Sequence, residues 1–228
     1  MGSFHDEISE GQAAFIKAQK MFFVGSCPLS ANGRVNISPK GFGGTFRIIN
    51  PNKVCYMELT GSGIETLSHV RESGRLTIMF CAFEGPPKIV RLFGTAVAYD
   101  IGSPEYDALE AEYFNDQQEL TGKRSIFVVD VTKVGQSCGF GVPLMEYKAP
   151  RDTLLDYWRK KDKLQMQDYW KTKNAESIDG IPSHLGQRQG PSVWSKAIKH
   201  AQALAPYGLT FSAGAVVGIS IYCMTRRV

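Results

Sequence analysis

ELTGSGIETLSHV, residues 58–70, passes within a few positions from strand to Gly-rich loop to helix. The run that leads into it, VCYMEL at 54–59, is β-branched and aromatic. Beyond Thr60-Gly61-Ser62-Gly63, the apolar residues Ile64, Leu67 and Val70 recur three apart and form one stripe of a helix. Ser62-x-x-Glu65 has the form of a capping box and Gly74 is placed to stop the helix, so the spacing predicts a helix over 63–73. The start of such a helix carries free N–H groups and the positive end of the dipole. Gly61 and Gly63 would let a ligand approach the backbone closely. An anion site and a plain capped helix both satisfy this stretch. A P-loop does not, because no Gly-Lys-Ser/Thr follows the glycines.

Strand-like runs surround this stretch. MFFVGSCPL (21–29), VNISPKGF (35–42), VCYMEL (54–59), RLTIMFCAF (75–83), KIVRLFGTAVAYD (88–100) and SIFVVDVTKV (125–134) are β-branched or aromatic, bounded by turn signals such as ANGR, NPNK and EGPPK. A second helix is predicted over 104–120. Strands this close together pair antiparallel, and six of them with two inserted helices describe a small barrel over residues 1–150. After Pro150 the character changes. Leu154, Leu155, Trp158, Leu164, Met166, Tyr169 and Trp170 give a charged helical segment an apolar, aromatic face, and 177–195 reads as an extended arm, so 151–204 forms a second region.

Composition excludes several function classes. The net charge of +4 is mild and no long basic run occurs, which argues against nucleic acid. Five cysteines without a C-x-x-C pair, four of them in apolar runs or beside glycines, suit buried free thiols in a reducing compartment. With the four histidines scattered too, no metal site is expected. The acidic N-terminus is neither a secretory signal nor a transit peptide. The third region, 205–228, differs: residues 205–225 carry no charge and as a helix would reach roughly 30 Å, enough to span a bilayer. Lys196, Lys199 and His200 on one flank and Arg226-Arg227 on the other, with a Gly214-x-x-x-Gly218 step, fit a single C-terminal membrane anchor with the barrel facing the cytosol. A final core helix or strand of a cytoplasmic protein is the competing reading.

NISPKG (36–41), LTGSGIETLSHV (59–70), GRLTIMFCAFEGPPKIVRLFGTA (74–96) and CGFGVP (138–143), in this order, give the chain a family resemblance over residues 12–145. It resembles the pyridoxamine 5′-phosphate oxidase-like flavoproteins, and YWKTKNAESIDGIP (169–182) resembles a segment that accompanies the barrel in one branch. The resemblance implies a mainly β (α+β) fold: a six-stranded antiparallel FMN-binding split barrel with inserted helices and a C-terminal helical extension. It implies FMN as cofactor and a homodimer with each flavin in the groove between subunits. Ser38, Pro39, Lys40 and Gly41 would face the flavin ring, Tyr56 and Met57 would pass the ribityl chain, and Thr60, Gly61, Ser62 and Gly63 would meet the phosphate. The authentic oxidase has an Arg-Lys pair at this helix start. Here the matching positions are Ser62 and Gly63, or Gly63 and Ile64, and Arg75, Lys88 or Arg91 would have to replace the lost charge. The oxidase's C-terminal substrate signature is missing as well, so vitamin B6 oxidation is not expected.

Each candidate also has a plainer role. Lys40 is either a donor to the flavin or a solvated strand-end lysine, and Arg91 either meets a phosphate or pairs with Glu58 or Glu84. Arg75 either joins the site or satisfies the carbonyls that end the preceding helix. Cys81 and Cys138 are expected as core thiols, and Tyr157, Trp158, Tyr169 and Trp170 as packing against the barrel. No side chain declares itself a catalytic acid or base. The expected function is an FMN-dependent oxidoreductase using a nicotinamide donor or a small organic substrate. The alternatives are a flavin- or haem-binding module without turnover, and a structural dimer with a vacant groove.

Overall fold

Residue 12, a glutamine three positions after Ser9, sets the first helix. In the computed structural model, which describes residues 2–185, Ser9 and Gln12 exchange hydrogen bonds in a capping box at the start of α1 (Glu10–Ala18). A three-residue strand, β1 (Ser3–His5), precedes it. The chain continues through β2 (Phe22–Ser26), β3 (Asn36–Lys40), β4 (Phe46–Asn50) and β5 (Lys53–Leu59) to α2 (Glu65–Ser73). It then forms β6 (Arg75–Cys81), β7 (Ile89–Asp100), α3 (Pro104–Tyr113), a 3-10 turn at Asn115–Gln117, and β8 (Lys123–Ser137). Two helices follow, α4 (Thr153–Arg159) and α5 (Lys163–Lys173).

All strand pairs are antiparallel, in the order β3-β2-β6-β7-β8-β5-β4 with β1 added on β8. The six strands expected from the sequence are β2, β3, β5, β6, β7 and β8. The short exposed β1 and the half-buried β4 bring the sheet to eight. The sheet curls back on itself: β3 is one end of the order, yet Lys40 on it reaches Glu58 on β5 at 2.5 Å, and Phe22 on β2 meets Phe46 on β4 at 5.2 Å. Val24, Val54, Tyr56, Ile78, Leu92, Phe127 and Val129 fill the inside, joined by Ile16 of α1 and by Leu67 and Val70 of α2. A second cluster (Cys55, Met57, Tyr106, Phe114, Ile126) lies on the other face of β5, under α3. Period-two alternation thus sends Tyr56 and Met57 into opposite cores.

Helix boundaries differ from the spacing. The predicted helix at 104–120 stops at Tyr113 and finishes as the 3-10 turn. The predicted helix at 63–73 ends as expected on Gly74, in the left-handed region at φ 73°, but it starts at Glu65. Ser62 makes no cap: the residue before the helix is Ile64, and Glu65 turns its carboxylate onto the Ile64 N–H at 3.0 Å. Cys55 and Cys81 are buried as expected, whereas Cys138 is exposed beside Gly139. The apolar block at 205–225, read as a membrane anchor, lies outside the described residues. Among the described residues no helix is long and apolar enough to cross a membrane.

After residue 150 the chain returns to the barrel as a strap. α4 docks where Gly122 has no side chain. Its φ of +75° favours glycine, and a Cβ there would stand 2.3 Å from a ring carbon of Trp158. Beyond α5, Ser177 and Ser183 close a small loop that Asp179 ties to Arg34, ahead of β3, through both the backbone N–H at 2.7 Å and the guanidinium.

Candidate functional site

β5 and β8 part at their ends by a register shift. Glu58 stands opposite Ser125 and Leu59 opposite Lys123, which leaves Arg124 as the extra residue of a bulge. Bulges re-aim side chains, and this one turns Arg124 inward until the residue is 2% exposed. Its guanidinium donates to Glu58 Oε2 at 2.7 Å, to Asn174 Oδ1 at 3.1 Å and to the Gly63 carbonyl at 3.1 Å. Lys40 Nζ takes the other oxygen of Glu58. Burial works against the Glu58 charge, but Arg124 and Lys40 outweigh it and hold the carboxyl at about 2. Glu58 is therefore ionised across the neutral range and is no proton donor there.

The Thr60–Gly63 loop hangs from this cluster by its carbonyls. Trp158 Nε1 donates to Thr60 O at 2.7 Å, Asn174 Nδ2 to Gly61 O at 3.0 Å and Ser62 O at 3.3 Å, and Arg124 to Gly63 O. A trans peptide holds its C=O and N–H on opposite sides, and no peptide here is cis. The N–H groups of Gly61, Ser62, Gly63 and Ile64 are therefore each turned away from the donor that holds the preceding carbonyl. Among the described residues the first three donate to no acceptor, and the fourth meets the Glu65 carboxylate. Gly61 has nothing within 4 Å of where a Cβ would stand, and Ser62 and Gly63 are exposed. The result is a short row of backbone donors at the positive end of α2, with one carboxylate oxygen already bonded to its last member.

The sequence candidates separate into three places. Lys40 and Thr60 to Gly63 belong to this cluster, and Lys40 is a half-buried, paired lysine rather than a freely solvated one. Thr60 is fully buried with its N–H on Gly122 O (2.6 Å) and its hydroxyl accepting from Trp170 Nε1 at 2.9 Å, so it anchors the loop. Ser38 lies nearby on the same face of β3 as Lys40, accepting from Asn36 Nδ2, while Pro39 is exposed on the other face and Gly41 has open space around it. Tyr56 and Met57 are core residues, Tyr56 stacked on Phe127 at 4.8 Å, and neither side chain reaches an open surface. Arg75 and Arg91 stand elsewhere, in a groove of about 570 Å³ on the outer face of the sheet, with Phe23, Val35, Ile37 and Phe93. Arg91 donates to Ser137 Oγ at 3.3 Å and pairs with neither Glu58 nor Glu84. Arg75 donates to Pro28 O at 2.9 Å rather than to the carbonyls of α2.

Sequence reasoning missed Arg124, Asn174 and the pairing of Glu58. The strand assigned to 125–134 began one residue too late to include Arg124, and nothing local marks a bulge. Tyr157, Trp158 and Tyr169 pack edge to face at 4.9 and 5.2 Å, as expected of a packing cluster, yet two indole N–H groups also serve Thr60. Among the described residues no group of three His, Cys, Asp or Glu is placed to hold a metal.

A family model described as pyridoxamine 5′-phosphate oxidase matches residues 8–138. A pyridoxamine 5′-phosphate oxidase family protein of Aspergillus flavus, UstO, is 34% identical over 215 residues, 85% of this chain and 83% of that protein. That share necessarily takes in the strap. Among solved structures, HupZ of Group A Streptococcus is 22% identical with a TM-score of 0.45 over 56% of this chain and 91% of that one. An FMN-binding protein from Syntrophomonas wolfei subsp. wolfei is 15% identical with a TM-score of 0.37 over 58% and 84%. These two superpositions are partial, and the family assignment rests on the sequence matches.

Proposed function

The chain belongs to the pyridoxamine 5′-phosphate oxidase family, and on that premise we propose that it is an FMN-dependent oxidoreductase acting on a small molecule. The observation that carries this reading is the row of backbone donors at residues 61–64. With no Arg-Lys pair in the loop, recognition of the flavin phosphate falls to N–H groups, the α2 dipole and the space left by Gly61. The donor set fits an anion, since a carboxylate oxygen already occupies its last member. When bound, the flavin supplies two-electron redox chemistry, and the residues around it bind and orient it. Lys40 is held by Glu58, which it shares with Arg124, so the cluster keeps one net positive charge beside the loop.

A second reading is favoured by the same cluster. Glu58 is locked in its ion pairs, and the loop carries no free acid or base, as in a flavin- or haem-binding module without turnover. The absorption spectrum of the purified full chain separates the two. Oxidised-flavin bands that bleach anaerobically with NADH or NADPH are expected of the enzyme. A flavin that no nicotinamide donor reduces would overturn that donor and favour the module, and a haem spectrum would overturn both the cofactor and the reading of the loop.

The homodimer is proposed on the outer face. Val35 and Ile37 are 71% and 68% exposed beside the groove that holds Arg75 and Arg91, an apolar patch that a second copy would cover. Sedimentation of the full chain is expected to give a dimer at micromolar concentration, and Ile37→Glu to shift it toward monomer. A native chain that is strictly monomeric with full flavin affinity would overturn this assembly.

A further inference from the structure

Asn174 ends α5, and its side chain is completely buried against the loop. It gives one N–H to Gly61 O and the other to Ser62 O, and its Oδ1 accepts from Arg124. The orientation of the amide is unambiguous, because carbonyls only accept and a guanidinium only donates. Its own backbone is fixed at both ends: the N–H bonds Trp170 O at 3.0 Å, and the carbonyl accepts from Ser183 Oγ at 2.5 Å. Two donors and one acceptor on a single planar head are what this position uses, and asparagine supplies them.

We propose that the strap is a working part of the ligand site and that Asn174 is its positioning residue, aiming the Ser62 and Gly63 N–H groups at an anionic group of the ligand. Pulling the Gly61 and Ser62 carbonyls inward is the same act as turning those two N–H groups outward, since each pair shares one rigid peptide plane. Trp158 does this for the Gly61 N–H and Arg124 for the Ile64 N–H. Asn174 alone controls the middle of the row. Specificity for a phosphate-bearing ligand therefore depends on a side chain far along the chain that touches no ligand. This rests on the flavin reading above, with the phosphate at the loop.

The test compares FMN with riboflavin, which lacks the phosphate, by quenching of flavin fluorescence on the full-length native chain, Asn174→Asp and Trp170→Phe. Asp offers no N–H to the two carbonyls but keeps the contact with Arg124. FMN affinity is expected to fall at least tenfold in Asn174→Asp, with riboflavin affinity within twofold of native. Trp170→Phe keeps an aromatic ring but loses the bond to the Thr60 hydroxyl. It serves as a second variant, expected to cut the FMN preference about threefold. Equal losses for both flavins in the two variants would mark the strap as purely structural and overturn the proposal. A native chain that prefers FMN, with the preference intact in Asn174→Asp, would overturn the positioning role alone. A native chain with no preference for FMN would sink the phosphate reading of the loop and this inference with it.

Discussion

Arg124→Met is expected to destabilise the protein by about 3 kcal/mol, the lower end of the cost of removing one partner of a buried ion pair, because Lys40 stays on Glu58. In a chain of this size that corresponds to a melting point lower by roughly 10 °C. The variant removes four bonds at once, two to Glu58 and one each to Asn174 and Gly63, and leaves a carboxylate that is 2% exposed with Lys40 as its one remaining cation. Glu58→Gln combined with Arg124→Met should recover part of the loss, because the buried carboxylate is gone and Lys40, 20% exposed, can turn to solvent. The pH dependence has a definite sign. Glu58 titrates at about 2 in the folded protein against an ordinary 4.5, so its contribution is complete above pH 4.5 and is lost as pH falls through about 2. Urea melts between pH 2 and pH 7 should show this loss in the native chain and a flatter acid limb in Glu58→Gln. Equal stabilities for native and Arg124→Met proteins would remove the cluster from any account of the fold.

Gly63→Glu is expected to abolish FMN binding, with a loss of affinity of a hundredfold or more, while the barrel stays folded. Gly63 does not use the positive-φ backbone that only glycine enters easily, so a side chain is sterically admissible there. A Cβ would nevertheless stand 3.2 Å from the Glu65 carboxylate, and a second carboxylate at this point would face the ligand phosphate directly. Glu65→Gln should act in the opposite direction. It leaves an acceptor for the Ile64 N–H, removes one negative charge from the row of donors, and should raise FMN affinity several-fold with riboflavin unaffected. Isothermal titration of both variants checks the pair. Unchanged FMN affinity in Gly63→Glu would move the phosphate away from this loop.

The barrel was legible because its signals are local. Alternating runs such as VCYMEL bury one residue in two against each core, and Gly74 supplies the left-handed stop that α2 needs. The loop was legible as a loop but not as to what holds it. Ser62-x-x-Glu65 satisfies a local rule, yet four long-range bonds from Trp158, Asn174 and Arg124 fix the backbone and displace the capping box. Lys40 and Glu58 lie 18 residues apart and Arg124 and Glu58 lie 66 apart, and neither pairing leaves a mark on a short window of sequence. Arg75 and Arg91, expected as replacements for the missing Arg-Lys pair, stand on the outer face because strand alternation puts them beside Thr77 and Phe93, away from Lys40.

Thr60 accepts a hydrogen bond from each of two indoles, Trp158 on its carbonyl and Trp170 on its hydroxyl. Both indoles are thereby fastened to the residue that precedes the donor row, so their emission samples the polarity and motion of that one spot. A flavin seated on the next three residues would accept their excitation energy at close range. Two of the three tryptophans thus serve as an optical gauge, and ultraviolet-excited emission from an unlabelled sample would fall as the loop fills.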